Sequence, residues 1–165
     1  MPSHRPRPAR RPRAAVVVAI LILASLVVGL VVWQLTLSRG VDAAAAPRAG
    51  DPACEGVGSR WPATVAGRGR VPVKDDPPAV AAWGDPAMVA RCGATSPGPT
   101  TDDCVAANGV DWVGRQVGGG MVFLSYGRDP AVEVFVPSAY APEPLVLGAF
   151  ADAVGVIPQG EHRCR

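Results

Sequence analysis

The hydrophobic pattern divides the chain into two very unequal parts. Residues 14–37 carry no charged side chain and consist mainly of Val, Leu, Ile and Ala, whereas the residues before them are rich in Arg and Pro and those after them interleave apolar with polar positions. In hydrocarbon every backbone amide must be satisfied within its own segment, so even Val16-Val17-Val18, poor helix formers in water, are forced into a helix. At 1.5 Å per residue the run is about 36 Å long, enough to cross an apolar core of about 30 Å with some tilt. Trp33 stands near one end, where an amphipathic ring anchors at the headgroups. Arg5, Arg7, Arg10, Arg11 and Arg13 all precede the run. The excess of cations on that side predicts a cytoplasmic basic tail (1–13), a transmembrane helix (14–37) and an extracytoplasmic remainder. A cleaved secretory signal is the competing reading, but a signal's apolar stretch is about 7–15 residues and this one is far longer. Ser25 and Gly29, four apart on one helix face, have the small-residue spacing that permits close helix contact.

Beyond the span, residues 38–50 are small, Ala-rich and polar, and predict a tether of about 20 Å if they behave as a coil. A single domain then runs over 51–165, within the usual size range and with Trp61, Trp83, Trp112, Phe123, Phe135 and Phe150 to build a core. The pattern predicts a short helix over 54–65 interrupted by Pro62, an extended stretch over 70–74 and a strand over 88–92. Residues 110–117 alternate and Gly118-Gly119-Gly120 turns the chain. Strands over 121–126 and 131–136 follow, the last with Val132, Val134 and Val136 on one face. Pro142 and Pro144 then open an apolar helix over 145–156. A helix, several consecutive strands and a helix predict an α+β domain, its antiparallel sheet flanked by helices and covered on one face. One echo stands out, Trp83-Gly84-Asp85-Pro86-Ala87-Met88-Val89 against Tyr126-Gly127-Arg128-Asp129-Pro130-Ala131-Val132. The ordinary turn chemistry of Gly, Asp and Pro accounts for it.

Charge follows the same division. Five of the 16 basic residues precede the span and all 14 acids follow it, so the exported part is acidic by three charges. With no basic patch interleaved with aromatics, nucleic acid is not an expected partner. All four cysteines, Cys54, Cys92, Cys104 and Cys164, fall on the exported side without CxxC spacing, which predicts disulfides rather than zinc. Three pairings are open. The expected one joins Cys92 to Cys104 across the loop carrying Pro97 and Pro99, and Cys54 to Cys164 across the domain, worth about 3 and about 4–5 kcal/mol respectively on the chain-entropy model.

No catalytic residue, metal site or cofactor is expected. The only histidine beyond the span is His162, in a charged tail next to a bridged cysteine, so a nucleophile lacks its base. Asp75-Asp76 and Asp102-Asp103 read as solvated loop acids, and Gly118-Gly119-Gly120 lacks the Lys-Ser/Thr of a phosphate loop. The most site-like set is Tyr126, Arg128 and Asp129, joined by Trp83 and Asp85 if both turns face one end of the sheet. An arginine on a turn can grip a carboxylate or phosphate. The plainer alternative is that it pairs with a nearby Asp to pin the turn.

Ala81-Ala82-Trp83-Gly84-Asp85-Pro86, Arg91-Cys92-Gly93, Asn108-Gly109-Val110-Asp111-Trp112 and Tyr126-Gly127-Arg128-Asp129-Pro130 leading into Val132-Glu133-Val134 together resemble the actinobacterial domain-of-unknown-function (DUF) 3515 family over about residues 51–157. The resemblance implies a single N-terminal span or export signal and a small extracytoplasmic domain, with no assigned activity. The expectation is therefore a single-pass membrane protein whose partners are the lipid bilayer and an envelope protein or cell-wall component. The alternatives are an envelope hydrolase or transferase with Asp85 near Asp129, and an accessory subunit of a membrane complex packing through Ser25 and Gly29.

Overall fold

The computed structural model describes residues 12–37 and 40–164, so residues 1–11 of the expected basic tail lie outside the described residues, while residues 12 and 13 begin the first helix. Two compact units divide the chain, Met1–Arg39 and Gly40–Arg165. In the first, α1 (Pro12–Leu37) is a continuous helix. Its stretch Ala15–Trp33 is long and apolar enough to cross a membrane, and none of that stretch is buried by the protein itself. The Ser25 hydroxyl donates to the Ile22 carbonyl at 2.8 Å, which satisfies the polar group within the helix.

The second unit contains an eight-stranded antiparallel sheet. Its strands are β1 (Thr64–Val65), β2 (Arg68–Val71), β3 (Val80–Trp83), β4 (Met88–Ala94), β5 (Asp103–Ala107), β6 (Val110–Val117), β7 (Gly120–Ser125) and β8 (Ala131–Pro137), in the spatial order β1-β2-β3-β4-β8-β7-β6-β5. That order is palindromic. Two four-stranded meanders meet where β4 pairs antiparallel with β8, the arrangement that a two-fold axis through the sheet produces. The two echoing sequences occupy equivalent places, one in the turn from β3 to β4 and the other in the turn from β7 to β8, each with its glycine at φ +74°. The echo thus follows the architecture as well as turn chemistry.

Side-chain alternation decides what covers the sheet. Met88, Ala90 and Cys92 of β4, Val110 and Trp112 of β6, Phe123 of β7 and Val132, Val134 and Val136 of β8 are all buried in one core. That core is closed by α2 (Pro52–Gly58), a 3-10 segment (Glu143–Phe150) and α3 (Ala151–Val154), through Val57, Leu147, Phe150 and Val154. On the alternate positions Val89, Phe135, Val122 and Leu124 are half-buried, and Arg91 pairs with Glu133 across the β4–β8 ladder at 2.6 Å. Residues 40–50 pack into this domain, where a tether was expected. Val41 bridges Val73, the Arg48 amide donates to Gly93 O at 3.0 Å, and Ala46 and Ala49 are buried. Small side chains let that segment lie close against the strands.

Other elements differ from the sequence expectation for local reasons. The first helix is short, capped by the Asp51 carboxylate on the Ala53 amide, and it stops at Ser59 after Gly56 and Gly58. The last helix is mostly 3-10: Pro142 and Pro144 stand at its start, where they remove backbone donors, and Gly148 falls inside its expected range. Strand β3 is buried on both faces and so shows no alternation. Strand β5 is joined to β6 by the two-residue turn Asn108-Gly109, both with φ > 0, a hairpin signal present in the sequence.

The expected disulfides are overturned. The bonds are Cys54–Cys92, with Cα atoms 5.4 Å apart, and Cys104–Cys164, 5.5 Å apart. Cys92 and Cys104 are close in sequence, yet β8, β7 and β6 lie between β4 and β5. Four inter-strand steps separate those strands by about 19 Å, far beyond bridging reach. Packing of α2 on β4 brings Cys54 to Cys92 instead.

Candidate functional site

The two echoing turns do not form one site. The Val89↔Phe135 pair puts the start of β4 beside the end of β8, and Ala94↔Ala131 puts the end of β4 beside the start of β8. The turn carrying Asp85 and the turn carrying Asp129 therefore sit at opposite ends of β4, about 20 Å apart by strand rise.

Trp83 belongs to the core. It is fully buried, its Nε1 donates to Pro62 O at 2.9 Å, and its ring meets Phe150 and Trp61 edge-on at 5.4 and 6.2 Å between centroids. The Arg70 guanidinium lies 5.9 Å from the same ring centroid. Asp85 is exposed on the turn, which Tyr140 fastens by donating to Pro86 O at 2.9 Å.

The second turn is clamped by the C-terminal segment. Arg128 is buried, donates to the Ile157 carbonyl through Nη1 and reaches Gly109 O at 3.5 Å through Nη2. Burial lowers its pKa, opposed by the Asp111 charge and assisted by Arg163. Gln159 donates to Tyr126 O at 2.9 Å, the Gly160 amide donates to Gly127 O at 2.6 Å, and His162 stacks on Tyr126 at 5.6 Å. The Cys164 amide donates to Asp111 Oδ2 at 3.2 Å, and the bond to Cys104 fixes the strap. Asp129 faces outward and accepts from Arg48 at 2.5 Å, while Asp51 accepts from the other Arg48 nitrogen at 3.1 Å. These two hydrogen bonds, Asp129 first, raise the Arg48 pKa. Arg128 thus holds the chain's own carbonyls, while Asp129 pairs with Arg48.

Two clefts remain. One, about 560 Å³, lies between Asp102-Asp103 and the strap residues Glu161, His162 and Arg163. The other, about 550 Å³, is lined by Asp51 and Glu55 of the α2 region, Trp61, Arg70 of β2, and the turn containing Asp76, Pro77 and Pro78. Both volumes suit small ligands. The second cleft gathers its residues from four separate segments, so no local spacing in the sequence announces it. Of its polar residues, only Asp76 falls in a pair the sequence singles out.

A model of the family described as "Protein of unknown function (DUF3515)" matches residues 14–161. The chain belongs to the DUF3515 family. The span common to this chain and the DUF3515 model takes in both the apolar helix and the sheet domain. Cys164 lies just beyond it, so the strap disulfide of this DUF3515 protein ends outside the matched residues. Neither curated proteins nor solved structures give a match to the chain.

Proposed function

We propose that this DUF3515 protein is a single-pass membrane protein, its basic tail cytoplasmic, which holds the disulfide-bonded domain outside the cytoplasmic membrane to bind an envelope protein or cell-wall component. One observation carries the reading: all four cysteines of the part following the apolar helix are joined in two disulfides, one of them with both cysteines fully buried. Such bonds belong to an oxidising compartment. The five arginines ahead of the apolar run supply the direction. Binding is favoured over envelope hydrolysis or group transfer, because the carboxylates such chemistry would use, Asp85 and Asp129, lie at opposite ends of β4.

The test is made in intact cells stripped of their wall. External protease should degrade the domain while a tag ahead of residue 12 survives, and chemical cross-linking before lysis should capture a stoichiometric envelope component. Protection of the domain with loss of the tag would reverse the topology. Release of the domain into the medium would replace the anchor with a cleaved signal.

A further inference from the structure

We propose that the cleft formed by α2, Trp61, β2 and the 75–79 turn binds a short peptide by its free ends, the carboxylate at Arg70 and Trp61 and the ammonium at Glu55 and Asp76. The inference rests on the envelope-binding reading and gives it a site and a ligand class.

Two unused donors carry it. Trp61 lines the cleft and is buried to 7% exposure, yet its indole N–H has no acceptor among the described residues. A buried donor left unsatisfied is costly, and an arriving acceptor offsets that cost. Arg70 lines the same cleft with no carboxylate partner among the described residues, and the Trp83 ring beneath it restricts where its planar fork lies. A guanidinium so held is suited to a carboxylate. Trp61 in turn packs edge-on against Trp83 and Phe150, each at 6.2 Å, so the donor sits on the rigid core.

The acidic groups differ among themselves. The Asp51 carboxylate is already engaged by the Ala53 amide and Arg48. Glu55 and Asp76 line the cleft with no partner among the described residues. Asp76 is held in a turn where Asp75, Asp76 and Ala79 all have positive φ and Pro77-Pro78 stiffens the intervening backbone. One guanidinium and two open carboxylates in one cleft disfavour a simple anion and offer one cationic and one anionic anchor, which is complementary to a zwitterion. Trp61 is too deeply buried to offer its ring face as a stacking platform, and its N–H is covered as well, so the carboxylate reaches that donor only as the cleft wall gives way around it.

The experiment uses the full chain in detergent micelles, labelled with nitrogen-15, and reads the tryptophan indole resonances. The Trp61 signal is identified by its loss in Trp61→Phe. Trialanine with free ends, prepared in L and D forms, is the probe, and trialanine with both ends blocked is the control. At least one free-ended form should shift the Trp61 indole signal saturably below about 10 mM. Arg70→Gln should weaken that response roughly tenfold, as should Glu55→Gln combined with Asp76→Asn. Arg70 and both acids are exposed, so these variants keep the fold, which the dispersion of the other indole signals reports. Absence of a saturable shift, or an equal shift with blocked trialanine, would overturn the proposal. The cross-linking result would stand apart from either outcome, so failure here is distinguishable from failure of the envelope reading.

Discussion

Serine replacement of the two disulfides should destabilise the domain by different amounts, and the order follows from burial. The bonded cysteines are 38 and 60 residues apart, which on the chain-entropy model gives about 3.9 kcal/mol for Cys54–Cys92 and about 4.3 kcal/mol for Cys104–Cys164. Loop length alone therefore makes the second bond slightly the more valuable. Burial reverses the order. Cys54 and Cys92 are fully buried, so two serine hydroxyls there add about 1–3 kcal/mol, whereas Cys104 is exposed on the edge strand β5. Cys54→Ser with Cys92→Ser should cost about 6 kcal/mol and Cys104→Ser with Cys164→Ser about 4 kcal/mol, against a typical total of 5–15 kcal/mol. Urea titration of the full chain in micelles, followed by tryptophan fluorescence, measures both. Equal losses, or a greater loss for the exposed pair, would refute the burial argument. A non-reducing map tests the connectivity itself. Trypsin should leave residues 92–115, which hold Cys92 and Cys104, joined to both 49–60 and 164–165. Cleavage before Asp102 or Asp103 should then split this set into 49–60 with the Cys92 piece and 164–165 with the Cys104 piece. A self-closed 92–115 peptide would restore the pairing expected from sequence.

Other outcomes follow from the strap and the turns. Arg128→Ala should lower stability by about 2–4 kcal/mol, since it empties a buried site and leaves the buried Ile157 carbonyl without its donor. Arg128→Lys should recover less than half of that in the same urea titration, having no fork. Gly127→Ala should cost at least about 3 kcal/mol, because a Cβ there runs into the His162 carbonyl as well as a left-handed backbone. Gly109→Ala, at φ +79° with open space around it, should cost only about 1–2 kcal/mol, and equal values for the two would exclude the clash as the cause. Arg48→Gln should leave the urea midpoint close to where it was, as Arg48 and Asp129 are well exposed and Asp51 is still partly exposed. A clear shift would mean the pairs order residues 40–50.

The parts of the fold visible in the sequence are those governed by local period. Val132, Val134 and Val136 alternate because β8 buries one face; in β6 the expected alternation holds only over Val110, Asp111 and Trp112, since Val113 and Gly114 are buried as well. Where both faces are buried, as in Val80-Ala81-Ala82-Trp83, the period vanishes and the strand is invisible to that test. The disulfide pairing failed on topology: nearness in sequence counts for nothing once β8, β7 and β6 come between β4 and β5. The expected site failed in the same way. Tyr126, Arg128 and Asp129 are adjacent in sequence, but Arg128 points to the chain's own carbonyls while Asp129 faces Arg48. Whether an arginine on a turn meets a ligand or a returning tail depends on where residues 155–164 go, and no spacing within the turn encodes that.

The palindromic sheet has two ends that are not interchangeable. β3–β4 and β7–β8 repeat the same turn, yet Trp83 is drawn into the core under Arg70 while Tyr126 is stacked by His162 from the C-terminal strap. The difference lies in what flanks each meander. α2 precedes β1 and is pinned to β4 by Cys54–Cys92, whereas no helix stands between β4 and β5 among the described residues. A cleft needs two walls. In the first half α2 and the 75–79 turn provide them around Arg70 and the unsatisfied Trp61 donor. In the second half the corresponding turn is clamped by the chain's own tail, with both terminal nitrogens of its arginine directed to carbonyls. A binding role built on the first half therefore has Arg70 and the Trp61 donor between two walls to work with, while in the second half the strap clamps the corresponding turn.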